Sequence, residues 1–326
     1  MASLSNLFGY ILNFIYNLVH NYGLAIIIFS ILLKLVLLPL SIKQHTTMKK
    51  TAKLQGKVKE IQEKYKNDQG KMNQEIMELY KRENMSPFSG CLSSILQIVL
   101  LLAMFGLVRN PLTYMLKVDQ SVVNDVATYI TEESSENKLD GAYPQISILK
   151  YVSKNQEKTI NVSEINKQEN TEKVEEAEEQ EETEEIATEN VEEEKTINLS
   201  DLYINMNFLG LDLSNIPKEN WNDWTVFIIP VLYVVTSIVS MKLTTNMTRQ
   251  DKKTDIIEIE KYDKKEEKPE DMTEQMNKSM TWFLPVMSVS ISLIAPLGLA
   301  LYWLVNNILM INERILLNRI IKSEEE

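Results

Sequence analysis

Apolar and polar positions alternate along this chain on two scales. On the long scale, five runs free of charge or nearly so stand out: Asn21–Leu33 continued past Lys34 to Ile42, Ser89–Val108, Trp224–Met241, Ser279–Ala295 and Pro296–Asn312. Each is near the ~17–25 residues that a helix needs to cross a bilayer. The last two meet at APLG, where Pro296 and Gly298 punctuate helical structure, so the pair predicts two antiparallel spans joined by a tight turn. Together the five runs predict an all-α polytopic membrane protein.

On the short scale, helical periodicity marks three further segments. Leu4, Leu7, Phe8, Ile11, Leu12, Ile15, Leu18 and Val19 recur at i, i+3 and i+4 spacing with Ser5, Asn6, Asn13 and Asn17 between them. That pattern predicts an amphipathic helix lying in the outer membrane interface. No basic n-region precedes it and no A-x-A-like site closes it, which argues against a signal peptide. Its asparagine stripe argues against a sixth span. Between the first two runs, Met48, Leu54, Val58, Ile61 and Tyr65 form one interrupted stripe, and Met72, Ile76, Leu79 and Tyr80 form another. The NDQG turn between them and the NMSP stop after them predict a helical hairpin whose stripes seal together.

Charge then orients these elements. The segment Lys43–Glu83 carries eleven Lys and Arg against six Asp and Glu, whereas Pro111–Asp223 carries nine against twenty-six. Basic residues beside spans mark the cytoplasmic side, so the hairpin is expected inside and the acidic segment outside. No basic residue precedes Lys34, which places the N-terminus outside; five crossings put Arg314, Arg319 and Lys322 inside. The loop Lys242–Lys278, with nine basic residues, falls on the cytoplasmic side as well. Overall composition hides all this: 25% charged residues and a slightly negative mean hydropathy suit a soluble protein, because long polar segments dilute the spans. From Lys154 to Lys195 glutamate dominates, with no aromatic residue and no proline, and such a stretch buries too little apolar surface to fold.

Lys34 is the one charge inside the apolar runs, and an ionisable group within a span is a functional hypothesis by default. The plainer reading is a lysine that snorkels to the headgroups. Ile42 ends the run eight residues further on, about 12 Å at ~1.5 Å per residue, and a lysine stem of about 6 Å covers only half that depth. Ser30 lies one turn away, a spacing that could pair nucleophile and base. With no oxyanion-hole motif in sight, a Ser30 that hydrogen-bonds the ammonium is the preferred reading. No Asp or Glu falls within the runs, so an aspartyl protease is excluded and nothing there neutralises Lys34. A single cysteine, Cys91, permits neither an intramolecular disulfide nor a CxxC site, and no Gly-rich nucleotide signature occurs. Neither catalytic residues, metal nor cofactor are expected. The remaining polar positions in the runs include Gln97, Ser93, Ser94, Ser288, Ser290, Ser292, Asn306 and Asn307, beside Tyr302 and Trp303. Together they would line one inward-facing cavity around Lys34.

Several segments resemble, in order, those of the YidC/Oxa/Alb family of YidC-type membrane protein insertases: LLKLVLLPLSIKQ, the hairpin with EIQEKYKND and ELYKREN, SPFSGCLSSILQI, FLGLDLS and PLGLALYWLVNN. The likeness covers about Tyr22–Asp119 and Leu202–Ile321. It implies that Lys34 takes the place of the family's groove arginine, Gln97 that of the second-span glutamine, and Tyr302, Trp303 and Asn307 those of the last-span aromatic pair and asparagine. In the family these face a hydrophilic groove open to the cytoplasm and to lipid. The resemblance further implies a membrane protein insertase and chaperone of the cell membrane, with nascent membrane proteins and the lipid bilayer as partners and the Sec translocon and ribosome as candidate partners. The competing class is an anion-selective channel or small transporter, although the internal repeats that transporters often carry are missing. Lys for Arg at 34, Val99 and Ser93 where prolines are usual, a short acidic tail and the glutamate-rich insertion depart from the family pattern.

The expected organisation is therefore an interfacial helix (1–21), five transmembrane helices (22–42, 89–110, 223–241, 279–295, 296–314) around a hydrophilic groove, a cytoplasmic helical hairpin (43–88) and a cytoplasmic tail (315–326). An external segment (111–222), holding a disordered acidic insertion at about 154–199, and a cytoplasmic loop (242–278) complete it. The groove residues would be Lys34, Ser30, Gln97, Tyr302, Trp303 and Asn307.

Overall fold

The structure is a computed structural model that describes residues 2–85, 89–133, 139–161, 196–256, 287 and 290–325. Most of the expected acidic insertion, of the loop after the third run and of the fourth span lies outside the described residues, as do SPF of the hairpin's end and the side chains of Met48 and Gln97. The chain is mostly helical and divides into two compact units: residues 1–25 with 103–214, and residues 26–102 with 215–326.

In the first unit, α1 (Ala2–Val19) sorts its residues into two apolar faces rather than one apolar and one polar. Ser5, Phe8, Gly9, Leu12, Ile15 and Tyr16 are buried, whereas Leu7, Tyr10, Ile11, Phe14 and Leu18 are exposed. The expected stripe Leu4–Val19 is thus split: half packs on protein and half is uncovered. The reason is close approach. A Cβ on Gly9 would lie 1.8 Å from the Tyr114 carbonyl oxygen, and the Ser5 hydroxyl donates to the Ala103 carbonyl at 2.9 Å. These contacts turn the 5–8–9–12–15–16 face toward α5 (Pro111–Tyr114).

The acidic segment 111–222 has more structure than its composition suggests. Helices α6 (Gln120–Glu133) and α7 (Pro144–Lys154) pack through Val126, Ile130, Ile148, Leu149 and Val152. After α7 comes β1 (Thr159–Asn161), paired antiparallel with β2 (Thr196–Asn198) so that Ile160 faces Ile197. Thr159–Asn161 and Thr196–Asn198 fall inside the expected insertion 154–199 and form a ladder; residues 162–195 lie outside the described residues. β-Branched and apolar residues at both edges give the two ends of the insertion a ladder to share. Glu133 at the end of α6 holds this entry: it accepts hydrogen bonds from the Tyr151 hydroxyl and the Lys158 ammonium. Those two donors depress the Glu133 carboxyl below its ordinary value, Lys158 contributing most.

The returning chain locks onto the corner between α1 and α2 (Tyr22–Lys64). His20 closes α1 in the left-handed region, its N–H reaching the Tyr16 carbonyl at 2.7 Å. Tyr22 N–H donates to the Asn205 carbonyl at 3.0 Å, Asn205 N–H to the Tyr16 hydroxyl at 2.8 Å, and Asn21 Nδ2 to the Asn207 carbonyl at 2.7 Å. The short hairpin of β3 (Asn207–Phe208) and β4 (Leu211–Asp212) follows. Phe208 lies so close to Gly23 that a Cβ there would meet its ring at 2.4 Å.

In the second unit, α2 does not stop at Ile42 as expected. It runs unbroken through 43 residues to Lys64, so the first span and the first hairpin helix are one rod. Pro39 removes one donor within it, leaving the Leu35 carbonyl without its usual partner, but the interruption is too local to end the helix. The turn falls at Tyr65–Asp68, and the Asp68 side chain accepts from Lys71 N–H at 3.0 Å to cap α3 (Gln69–Arg82). Leu54 and Leu79 are buried along the stripes, and Lys57 bonds Glu83 at 2.9 Å. Next come α4 (Ser89–Arg109), α8 (Ile228–Ile256) and α9 (Leu297–Glu325), the last two packed along each other; the chain breaks at Ala295–Pro296 before α9.

Among the described residues two segments are long and apolar enough to cross a membrane, Tyr22–Thr47 and Trp224–Leu243; Ile98–Arg109 is a shorter apolar helix. Their outer faces are uncovered. Leu32, Leu35 and Val36 on α2 and Val231, Leu232, Val235 and Val239 on α8 are exposed, a run of apolar surface that water does not tolerate on this scale.

Two measurements check these assignments. Gly9→Ala is expected to lower stability by about 3 kcal/mol, because its methyl meets backbone that cannot swing aside, and thermal unfolding in detergent reads this. Glu133 has a depressed folded pKa, so its contribution is full above the unfolded carboxylate value and is lost as pH falls through the folded one. Lowering pH from about 6 to about 3 is expected to reduce the melting temperature of the wild type more than that of Glu133→Gln.

Candidate functional site around Lys34

The face of α2 that carries Lys34 is read off its spacing. Ser30, Leu33, Lys34, Leu37, Leu40, Ser41 and Gln44 recur every three or four residues and line one cavity of about 50 Å³, which Leu96 and Leu100 of α4 and Tyr302 and Asn306 of α9 complete. Leucines from α2 and α4 make the apolar part of the wall. Polar groups sit at Ser30, Lys34, Ser41, Gln44, Tyr302 and Asn306, and the space holds a few water molecules.

Lys34 has a counter-charge on another helix. Its ammonium lies 2.5 Å from Glu313 Oε2 on α9, and the two side chains keep only 21% and 10% of their surface exposed. This corrects the expectation that nothing in the apolar runs neutralises Lys34. The fifth run ends at Asn312 by composition, yet α9 continues through it to Glu325 without a break. Glu313 therefore lies on the face of Tyr302 and Asn306, seven residues beyond the second. The sequence does hold that signal: the series 302, 306, 309, 313 is a helical stripe, and the expected span 296–314 includes Glu313 although the uncharged run stops at Asn312. The second carboxylate oxygen, Glu313 Oε1, is buried with no hydrogen-bond partner among the described residues. Pairing on one oxygen offsets only part of the desolvation that each charge suffers.

Ser30 plays another part than expected. Its hydroxyl donates to the Ile26 carbonyl at 2.7 Å, one turn back on its own helix, while the ammonium goes to Glu313. A serine committed to its helix backbone has no proton to give a neighbouring base.

The last-span residues divide between two faces. Tyr302 and Asn306 border the cavity, whereas Asn307 and Trp303 turn to α8. Asn307 Nδ2 donates to Thr236 Oγ1 at 3.2 Å and Ser237 Oγ at 3.0 Å, and Trp303 packs against Tyr233 with ring centroids 5.9 Å apart. Both are buried, and Trp303 Nε1 has no hydrogen-bond partner among the described residues. Of the six expected site residues, then, Ser30, Lys34 and Tyr302 meet at the cavity; Trp303 and Asn307 join α8 to α9. The Gln97 side chain lies outside the described ones.

Comparison with known proteins gives a consistent picture. The family described as 60Kd inner membrane protein matches residues 14–169 and 194–325. A membrane protein insertase YidC from Syntrophus aciditrophicus is 52% identical over 87 residues, 27% of this chain and 16% of that protein. One from Caldanaerobacter subterraneus subsp. tengcongensis is 39% identical over 110 residues, 34% of this chain and 53% of that protein. A third, from Fusobacterium nucleatum subsp. nucleatum, is 40% identical over 107 residues, 33% and 52% of the two chains. The matched part thus spans from 16% to about half of these relatives' own length.

Asn307→Ala is expected to lower stability by about 1 kcal/mol, the usual scale for a side-chain hydrogen bond between membrane helices. A double-mutant cycle with Ser237→Ala, read by thermal unfolding, checks it. Additive effects would show that the two side chains do not interact.

Proposed function

Because the chain belongs to the 60Kd inner membrane protein family, we propose that it is a membrane protein insertase and chaperone, working through the cavity at Lys34. The observation that carries this reading is a polar, charged cavity built on a helix whose opposite face is bare apolar surface. Such a helix presents lipid with one side and a hydrated path with the other.

The mechanism follows from transfer energies. In a substrate's span, ten Leu, Ile, Phe or Val residues at about −0.3 to −0.6 kcal/mol each supply roughly 3–6 kcal/mol on entering the membrane. One carboxylate brought to the bilayer centre costs about 2.5–3.5 kcal/mol, so a short external segment with one acid is near balance and one with two is not. A wet cavity with a cation shortens the apolar path and gives the passing carboxylate a partner. The substrate helix then leaves sideways into lipid, and its apolar transfer drives the process without nucleotide. Lysine in place of arginine keeps the charge as a compact point and gives up the planar fork.

In this reading the chain crosses the cell membrane five times, with its N-terminus outside and its C-terminus in the cytoplasm. The exposed face of α1, with Leu7, Tyr10, Phe14 and Leu18, rests in the outer interface, and the α2–α3 hairpin projects into the cytoplasm. Nascent membrane proteins are the substrates, with the Sec translocon and ribosome as partners. An anion channel would need its cation open to a conducting path, and the close pairing of Lys34 with Glu313 works against that class.

Complementation of an insertase-depleted bacterium tests the proposal. Wild type and Lys34→Arg are expected to restore growth and insertion of a single-span protein, Lys34→Ala to restore them partly and Lys34→Glu to fail. A wild type that inserts no single-span protein would end the insertase reading, whereas full rescue by Lys34→Glu would end only the charge mechanism.

A further inference from the structure

The cation at the centre of the cavity is already answered from within the chain. Glu313 holds it with one carboxylate oxygen, from α9, and is not itself among the residues that line the cavity. Lys34 belongs to both: it pairs with Glu313 and lines the open space. An ammonium has three donors, so a second carboxylate entering the cavity can reach Lys34 before the first has left. The space there, about 50 Å³, suits a carboxylate head with its water and excludes a helix.

We infer that Glu313 is a built-in competitor for the Lys34 ammonium, and that it sets how acidic an external segment must be before the cavity favours it. The inference rests on the insertase reading above and adds the residue that tunes substrate choice. Two observations support it. The pair is only part-buried on the lysine side, so the exchange is open to an incoming group. The unpartnered Glu313 Oε1 leaves the resting pair short of a hydrogen bond, which keeps it from being an inert structural bridge.

Charge neutrality at rest has a use here. A bare ammonium in the cavity would favour any anion, lipid phosphate included, whereas a paired one yields only to a carboxylate that brings binding of its own. Specificity then arises as a difference between two affinities rather than from one strong contact.

The test compares insertion of two single-span reporters that differ only in their short external segment, one neutral and one carrying two aspartates. The acidic-to-neutral insertion ratio is measured with wild type, Glu313→Gln, Lys34→Gln and the double variant. Glu313→Gln is expected to raise the ratio roughly two- to fivefold, the scale of one partly exposed ion pair. In the Lys34→Gln background the same change is expected to leave the ratio unmoved. A ratio unchanged or lowered by Glu313→Gln overturns the inference, as does an equal loss of both reporters. Should Glu313→Gln fail to accumulate, Glu313→Asp is expected to give a smaller rise in the same direction. Failure of both variants to accumulate also overturns it, since a residue whose removal unfolds the protein is a structural one. If wild type inserts neither reporter, it is the insertase reading that falls.

Discussion

Everything at the centre of the second unit turns on one lysine that apolar surroundings cannot leave alone. Lys34 sits in the more apolar of the two membrane-length segments among the described residues, and a charge there needs water, a counter-charge or both. The structure supplies both in part: a small polar cavity on one side and a carboxylate at 2.5 Å on the other. Neither alone is sufficient. A pair sealed in hydrocarbon would recover only some of its lost hydration, and a lone ammonium in a cavity this small would have few waters to hold it. The arrangement is thus a compromise in which the charge persists because its counterion is incomplete and its access to water is narrow.

That compromise determines how the neighbouring helices must present themselves. α2 has to run straight past Lys34 so that Ser30, Leu37, Ser41 and Gln44 share its face, and α9 has to run past Asn312 so that Glu313 stands level with it. Asn307 and Trp303 then fall on the adjacent face and fasten α9 to α8, a contact that holds the Glu313 side in place without touching the charge. The first unit has a separate task. Its hydrogen bonds between residues 16–22 and 205–207 tie the end of α1 and the first residues of α2 to the returning chain.

Much of this is legible in order of distance along the chain. Local periodicity shows α1, the two hairpin stripes and the turn near Asp68, because those depend on residues three or four apart. The membership of Ser30, Lys34 and Tyr302 in one cavity is partly legible too, through polar residues at helical spacing in apolar runs. What escapes is anything that requires knowing which face meets which helix. The split of α1 into two apolar faces depends on Gly9 against Tyr114, 105 residues apart, and the helices and ladder of the acidic segment 111–222 depend on pairings that composition conceals. Asn307 reads as a cavity residue beside Asn306, yet one step along a helix turns a side chain by about 100° and carries it to another neighbour.

Side-chain chemistry and short-range period are enough to read a helical chain with membrane-length apolar runs, a basic hairpin and one lysine out of place. The partner of that lysine comes from packing alone. A boundary drawn where charge begins is a statement about composition, and it ends the last run one residue before Glu313. The helix recognises no such boundary: its backbone hydrogen bonds continue, carrying the carboxylate to the face that Lys34 approaches from a segment 279 residues away.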